Sequence, residues 1–136
     1  MNANTAEGAR KTALYFLELF PYMMRSGDTK EWDRLSVAKE CKFCSSNRAD
    51  AIAARKEHRS YSGGRISARV ITTYDRDTLY DGYPIDVKVI QQAYVFRDRG
   101  GKTVSSKPKT SGILSVEVIR SGKGWKILGV TSKASD

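Results

Sequence analysis

The chain has 136 residues, 40% of them hydrophobic, with 24 lysines and arginines against 15 acidic residues. This length suits one compact domain over residues 1–136, because domains commonly span about 100–150 residues. No apolar run approaches the roughly 18 residues of a membrane-spanning helix. One histidine and two cysteines leave few routes to a metal site or a cysteine–histidine catalytic pair. We therefore expect no catalytic residues, no metal and no cofactor.

The net charge of +9 and the pI near 9.7 would attract a polyanion such as nucleic acid, anionic lipid or an acidic cell-wall polymer. The positive charge is concentrated toward the C-terminal part of the chain. A basic surface that only maintains solubility is the simpler interpretation, and the sequence favours it. The alternative is a surface for an anionic partner, for which the candidates are Arg97, Arg99, Lys102, Lys107 and Lys109.

The N-terminus is polar, and we expect residues 1–4 to be disordered. Met1 is not followed by the basic, apolar and small-residue segments of a signal peptide. A chain whose leader had been removed would look the same, so this pattern does not indicate a cytoplasmic protein.

Apolar residues recur at helical spacing from Thr5 to Met24, which predicts a long amphipathic helix with Thr5 as its N-cap. Pro21 lacks a backbone donor, so we expect a kink or the end of the regular helix near it. A second helix is predicted over residues 29–38 and a third over residues 47–58, capped by the Ser45-Ser46-Asn47 cluster. The predicted inward-facing residues are Trp32 and Leu35 in the second helix, and Ala49, Ile52, Ala53 and Lys56 in the third.

After a turn at Tyr61–Gly64, the apolar period changes from helical to alternating. This predicts about four antiparallel strands, and a change of phase within residues 85–97 predicts a bend near Gln91–Gln92. Residues 75–84 and 100–111 are expected to be connections, the second with a short strand start near Thr103. Helices followed by strands predict an α+β domain whose curved sheet wraps the first helix.

Short motifs along most of the chain resemble those of a family of uncharacterised actinobacterial lipoproteins with a nuclear transport factor 2-like (cystatin-like) cone fold. They are Thr5-Ala6-Glu7-Gly8-Ala9, Ser26-Gly27-Asp28, Leu35-Ser36 leading to Cys41-x-x-Cys44, and Gly63-Gly64. The resemblance implies an extracytoplasmic domain with no assigned activity, normally tethered to the cell membrane by a lipidated N-terminus. The leader and lipidated cysteine are not in this chain, so the tether is inferred from the resemblance.

Cys41 and Cys44 allow four interpretations. A zinc site needs about four ligands, and the chain offers only His58 as a further soft ligand. A thioredoxin-type redox pair belongs in a βαβ unit, whereas this pair lies between helices. Two free buried thiols suit a reducing compartment. A disulfide is the interpretation we favour, because a three-residue spacing at a helix start can bring the two Cα atoms within bridging distance.

Other polar candidates are few. Cone folds of this type often hold an enzyme pocket between the sheet and the first helix, so Asp33 and Asp86 are the carboxylates to consider. Both are expected to face solvent, because an unpaired buried carboxylate is costly. His58 is expected to be a surface residue at a helix end, and Tyr80 and Tyr83 an exposed pair.

We therefore expect a non-catalytic extracytoplasmic domain that binds an unknown protein or small ligand at the cell envelope. One alternative is an isomerase- or hydratase-type enzyme with a pocket between the first helix and the sheet. Another is a basic nucleic-acid-binding module, which we do not expect, because the strands lack the aromatic pattern of RNA-binding sheets. The oligomeric state stays open, and a homodimer is compatible with an exposed sheet face.

Overall fold

The computed structural model describes residues 1–133. Three helices precede seven strands, and all strand pairs are antiparallel. This order confirms the predicted α+β class. The elements are α1 (Ala6–Ser26), α2 (Lys30–Leu35), α3 (Lys42–Lys56), β1 (Ser60–Gly63), β2 (Ile66–Thr73), β3 (Gly82–Gln91), β4 (Tyr94–Arg97), β5 (Thr103–Lys107), β6 (Thr110–Ser121) and β7 (Gly124–Lys133).

The seven strands are four long runs of chain, three of which are bent. They form two sheets with strand orders β1-β4-β5 and β2-β3-β6-β7. Strand β2 directly follows β1 in the chain, β4 follows β3, and β6 follows β5. Each of these three runs therefore passes from one sheet into the other, whereas β7 stays in one sheet. The expected number of about four strands counted each bent run once. It is corrected to seven segments because the bends interrupt the hydrogen-bond ladders.

The three bends lie side by side. Gly64 N–H donates to the Ala93 carbonyl at 3.0 Å, and Gln92 N–H donates to the Arg65 carbonyl at 2.9 Å. Gly64 has φ +75°, and a Cβ there would lie 1.8 Å from the Tyr61 hydroxyl oxygen. Only glycine fits this position. The segment predicted as a turn at Tyr61–Gly64 therefore contributes strand β1 up to the bend, and the bend predicted near Gln91–Gln92 is present one residue later.

Helix α1 begins as predicted, with the Thr5 hydroxyl accepting a hydrogen bond from Gly8 N–H at 3.2 Å. It continues past Pro21 to Ser26, and Gly27 caps its end in the left-handed conformation. One stripe of the helix is buried against the sheets and comprises Gly8, Ala9, Thr12, Ala13, Phe16, Leu17, Pro21, Met23 and Met24. Within residues 1–133, no helix is both long and apolar enough to cross a membrane.

Helix α2 is shorter than predicted because the chain leaves it to contact the sheet. Ser36 forms a bridge with Ile127 of β7, and Val37 N–H donates to the Ile127 carbonyl at 2.9 Å. Trp32 and Leu35 are buried as predicted.

Helix α3 differs from the prediction in its start and its inward face. It begins at Lys42 because Cys41, rather than the Ser45-Ser46-Asn47 cluster, is its N-cap. The residues predicted to face inward are exposed, including Ile52 at 42%. The buried positions are instead Cys44, Ala51 and Ala54. Their small side chains allow the helix to pack closely, so side-chain size misled the prediction.

Residues 1–4 differ from the expectation of a disordered terminus. The Arg120 guanidinium donates to the Asn2 carbonyl at 2.7 Å, and the Trp125 indole donates to the Ala3 carbonyl at 2.8 Å. Arg76 also donates to the Asn4 side chain at 2.8 Å. These contacts hold the segment against the turn between β6 and β7.

Candidate binding cleft

A cleft lies between the helical layer and the sheet face that packs on it. Its cavity has a volume of about 350 Å³. The walls come from α1, α3 and the sheets, which meet imperfectly where the three strand runs bend. The lining residues are Leu17, Phe20, Phe43, Asn47, Ile66, Val89, Gln91, Tyr94, Lys107, Thr110, Ser111, Gly112, Leu114 and Ser132.

The cleft has an apolar interior and a polar mouth. Leu17, Phe20 and Leu114 are among the interior side chains and pack on the main hydrophobic core. The mouth lies where β5 joins β6, and its residues Lys107, Thr110, Ser111 and Ser132 are all exposed. Cavities that bind small molecules or side chains typically combine an apolar lining with a few polar groups.

A second cavity of about 190 Å³ adjoins the first. Phe20, Asn47 and Tyr94 line both, so the two form one elongated cleft between α3 and the bent sheet. Tyr61 forms part of its wall, and burial raises the pKa of Tyr61 to about 12. The hydroxyl of Tyr61 is therefore a neutral group at physiological pH.

The described residues that line the first cavity include no carboxylate. Among the described residues that line it, the ionisable side chains are those of Tyr94 and Lys107. Asp50 and Arg59 line the second cavity, and both are exposed. The isomerase or hydratase hypothesis needs a carboxylate whose pKa burial raises inside a pocket. Among the described residues that line the first cavity, no carboxylate of this kind is found.

Asp86 is buried, and the expectation that it faces solvent is wrong. It lies on the opposite sheet face from Ile85 and Val87, where Tyr74 and Lys133 donate hydrogen bonds to its carboxylate. Burial acts to raise the pKa of Asp86, but the hydrogen bonds from Lys133 and Tyr74 outweigh it and lower that pKa below its usual value. Asp86 therefore stays ionised, and it does not line the cleft.

Asp33 and Glu117 also lie away from the cleft. Asp33 is exposed and accepts a hydrogen bond from Arg48 at 2.7 Å. Glu117, which the sequence analysis did not single out, has a pKa raised by burial and by the nearby Asp77 charge. It lies between Val116 and Val118, both fully buried on the core side of β6, so its side chain points to the outer face.

The five basic residues proposed as an anionic-partner surface are all exposed. Arg97, Arg99 and Lys102 lie at the tip of the β4–β5 hairpin, whereas Lys107 and Lys109 lie at the bend. Lys102 immediately precedes β5 and Lys107 is the last of its five residues, so the two groups lie roughly 17 Å apart along the strand. Among the described residues, none of the five forms an ion pair.

Cys41 and Cys44 form a disulfide, which confirms the favoured interpretation. Both residues are buried, and Cys41 Sγ also accepts a hydrogen bond from Cys44 N–H at 3.2 Å. The bridge closes the first turn of α3. Neither sulfur lines the two cavities, although Phe43 between them lines the first.

The remaining candidates lie outside the cleft. Tyr80 is 55% exposed, as expected, but Tyr83 packs on Trp125 with ring centroids 5.8 Å apart. His58 is exposed just after the end of α3.

The fold and cleft define a small α+β domain in which a bent antiparallel sheet packs on three helices around an elongated cavity. The chain belongs to a family of unknown function, DUF6318, whose sequence profile matches residues 1–131. No curated protein matches it.

Several solved structures are similar in fold. The intermembrane space region of chloroplast protein ARC6 is 11% identical, with a TM-score of 0.74, over 96% of this chain and 98% of that one. A periplasmic fragment of TraM is 11% identical, with a TM-score of 0.53, over the same shares. An uncharacterised protein with a cystatin-like fold from Caulobacter vibrioides is 14% identical, with a TM-score of 0.45, over 94% of this chain and 91% of that one. At these identities, the first two similarities establish the fold alone.

Proposed function

We propose that this chain is a non-catalytic extracytoplasmic domain that binds a ligand or partner segment in the cleft between the helices and the bent sheet. The observation that carries the proposal is the cavity itself, with its apolar interior and polar mouth.

The compartment is supported by the buried disulfide. Disulfides persist in oxidising environments and are rare in the cytosol. Two of the structures with a similar fold are an intermembrane space region and a periplasmic fragment, which supports the same assignment. The resemblance to actinobacterial lipoproteins further supports an N-terminal lipid tether at the cell membrane.

Fractionation of the source cells followed by maleimide labelling tests the compartment. We expect the protein in the envelope fraction. Because Cys41 and Cys44 are buried, the labelling is carried out in denaturant, where we expect no reactive thiol before reduction and two after it. Recovery in the cytoplasmic fraction with two freely labelled cysteines would contradict the proposal.

A cavity-filling substitution tests the cleft. Gly112 pairs with Val89 and lines the cavity, and a Cβ there meets no atom within 4 Å. Gly112→Phe should therefore fill the cavity without a backbone clash. Gly129→Phe is the matched control, because Gly129 also has open space but pairs with Glu117, which faces outward.

The probe is anilinonaphthalene sulfonate, an apolar anion that matches the apolar interior and the Lys107 ammonium at the mouth. We expect saturable binding at one site, weakened at least tenfold by Gly112→Phe and by less than about twofold by Gly129→Phe. Circular dichroism and urea unfolding establish that both variants are folded. Equal binding by the wild type and the folded Gly112→Phe variant would refute the assignment of the cleft as the site.

A further inference from the structure

Beside the cleft, the outer edge of β5 has no partner among the residues that the structure describes. In the strand order β1-β4-β5, β5 pairs on one side only, with β4. Strand β7 covers the corresponding side of β6, but its last pair is Ile113 with Lys133. Among residues 1–133, no strand therefore pairs with the outer edge of β5. Unpaired strand edges are templates for an added strand.

This free edge borders the mouth of the cavity. On this edge, Lys107 lines the first cavity and Ser105 lines the second, and Thr110, Ser111 and Gly112 beyond the bend also line the first cavity. A strand added beside them would continue the line of β7 along β5. Because side chains alternate across a strand, every second residue of the added segment would face the cavity.

The charge around the edge selects the chemistry of the segment. Five exposed cations flank β5, three at the hairpin tip and two at the bend, and the single carboxylate among them is Asp98. Asp98 accepts hydrogen bonds from the N–H groups of Gly100 and Lys102 within the turn. The flanking charge is therefore positive at both ends of the edge, whereas the cavity between the sheet and helices is apolar.

We propose that the cleft binds an extended segment of a partner protein, which adds as a strand to the free edge of β5, has acidic residues near both ends and inserts an apolar side chain into the cavity. This inference rests on the proposed function of the cleft and names the class of its ligand. It also gives the five basic residues a role, because they flank the added strand.

The probe is a fluorescein-labelled synthetic peptide, Asp-Glu-Val-Thr-Phe-Thr-Val-Glu-Asp, which when extended spans about 30 Å. The control peptide has the same sequence with lysines in place of the four acidic residues. Fluorescence anisotropy should show at least tenfold tighter binding of the acidic peptide, with an affinity that falls as salt rises. Equal affinity for the two peptides would contradict the role of charge.

Backbone pairing has its own test. A peptide that adds as a strand uses the N–H groups of alternate residues, so N-methylation of one alternate set should weaken binding at least tenfold. N-methylation of the other set should change it by less than about twofold. Equal effects of the two sets would overturn strand addition.

Protein variants locate the peptide. Lys107→Glu with Lys109→Glu should weaken binding at least tenfold, whereas Lys88→Glu with Lys126→Glu, away from this edge, should change it by less than about twofold. Equal losses in the two double variants would refute the assignment to the β5 edge.

The cavity variants separate this inference from the proposed function. Gly112→Phe should weaken the binding of both the peptide and anilinonaphthalene sulfonate. If the dye binds and responds to Gly112→Phe while the peptide does not bind, the cleft remains the site and strand addition is wrong. If Gly112→Phe, still folded, affects neither probe, both proposals are wrong.

Discussion

The indole N–H of Trp32 donates a 2.8 Å hydrogen bond to the carbonyl oxygen of Cys44. The same ring stacks on Phe16 of α1 with centroids 4.0 Å apart. Trp32 therefore joins all three helices, and it contacts α3 at the turn that the disulfide closes. Because α3 forms one wall of the cleft, the disulfide acts on the site through the position of this helix.

Removal of the disulfide should lower stability without unfolding the domain. The bridge has a sequence separation of 3, and the chain-entropy relation assigns a loop this short about 2 kcal/mol. We expect the reduced wild type to lose this amount in urea unfolding. Cys41→Ala with Cys44→Ala should lose more, because it also removes two buried sulfurs and the Cys41 Sγ that caps α3. Identical midpoints for the oxidised and reduced wild type would contradict a stabilising bridge.

Gly64→Ala should distort the bend between β1 and β2 and lower the stability of the domain. The new Cβ would overlap the Tyr61 hydroxyl and would occupy a positive φ, so we expect a loss of about 2–4 kcal/mol in urea unfolding. Gly101→Ala is the control, because Gly101 has φ +86° with open space around it. It should cost only about 1 kcal/mol. Equal losses in both variants would show that crowding at Tyr61 does not matter.

Asp86→Asn should be destabilising at neutral pH and nearly neutral in acid. Tyr74 and Lys133 would donate to an uncharged oxygen, at a cost of about 1–2 kcal/mol. Because the folded pKa of Asp86 is lowered, its contribution is complete above the unfolded pKa of about 3.9 and is lost as pH falls through the folded pKa.

Urea unfolding of the wild type and Asp86→Asn between pH 7 and pH 2 measures this difference. Asp33→Asn is the control, since its exposed ion pair with Arg48 should contribute at most about 1 kcal/mol. A stability gap between the wild type and Asp86→Asn that stays constant down to pH 2 would show that ionisation of Asp86 does not stabilise the fold.

Local patterns predicted much of this fold. The helical period from Thr5 to Met24 and the alternation after Gly64 gave the element types and their order, because each follows from burial of one face. The change of phase between Val89 and Tyr94 predicted a bend for the same reason. In an uninterrupted strand these two side chains would face opposite sides, so both can contact the core only if the strand is interrupted between them.

The features missed depend on contacts between distant segments. The environment of Asp86 is set by Tyr74 and Lys133, which lie 12 and 47 residues away. The cleft forms where α3 meets the three bends. Because the predicted inward face of α3 was wrong, the sequence did not show which side chains of α3 face the cleft. The free edge of β5 depends on which strands pair with β4, β5 and β6, which no pattern within β5 can show. Cys41 as an N-cap was missed because Ser45, Ser46 and Asn47 are stronger capping residues by type.

The carboxyl of Glu31 should titrate well below its ordinary range. Hydrogen bonds from Arg34 and then from Tyr15 lower the pKa of Glu31 to about 2. Tyr15→Phe removes a 2.8 Å hydrogen bond, so we expect the Glu31 pKa to rise toward 4.5 without reaching it, because Arg34 remains. Carbon-13 NMR titration of the glutamate carboxyl groups measures this change.

Tyr22→Phe is the matched control for this titration. Tyr22 donates to Asp28 at 2.8 Å, and this hydrogen bond is the main cause of the lowered pKa of Asp28. The variant should therefore raise the Asp28 pKa and leave the Glu31 midpoint unchanged. A wild-type Glu31 midpoint near 4.5, or one that Tyr15→Phe does not move, would show that the link between α1 and α2 through Tyr15 and Glu31 does not persist in solution.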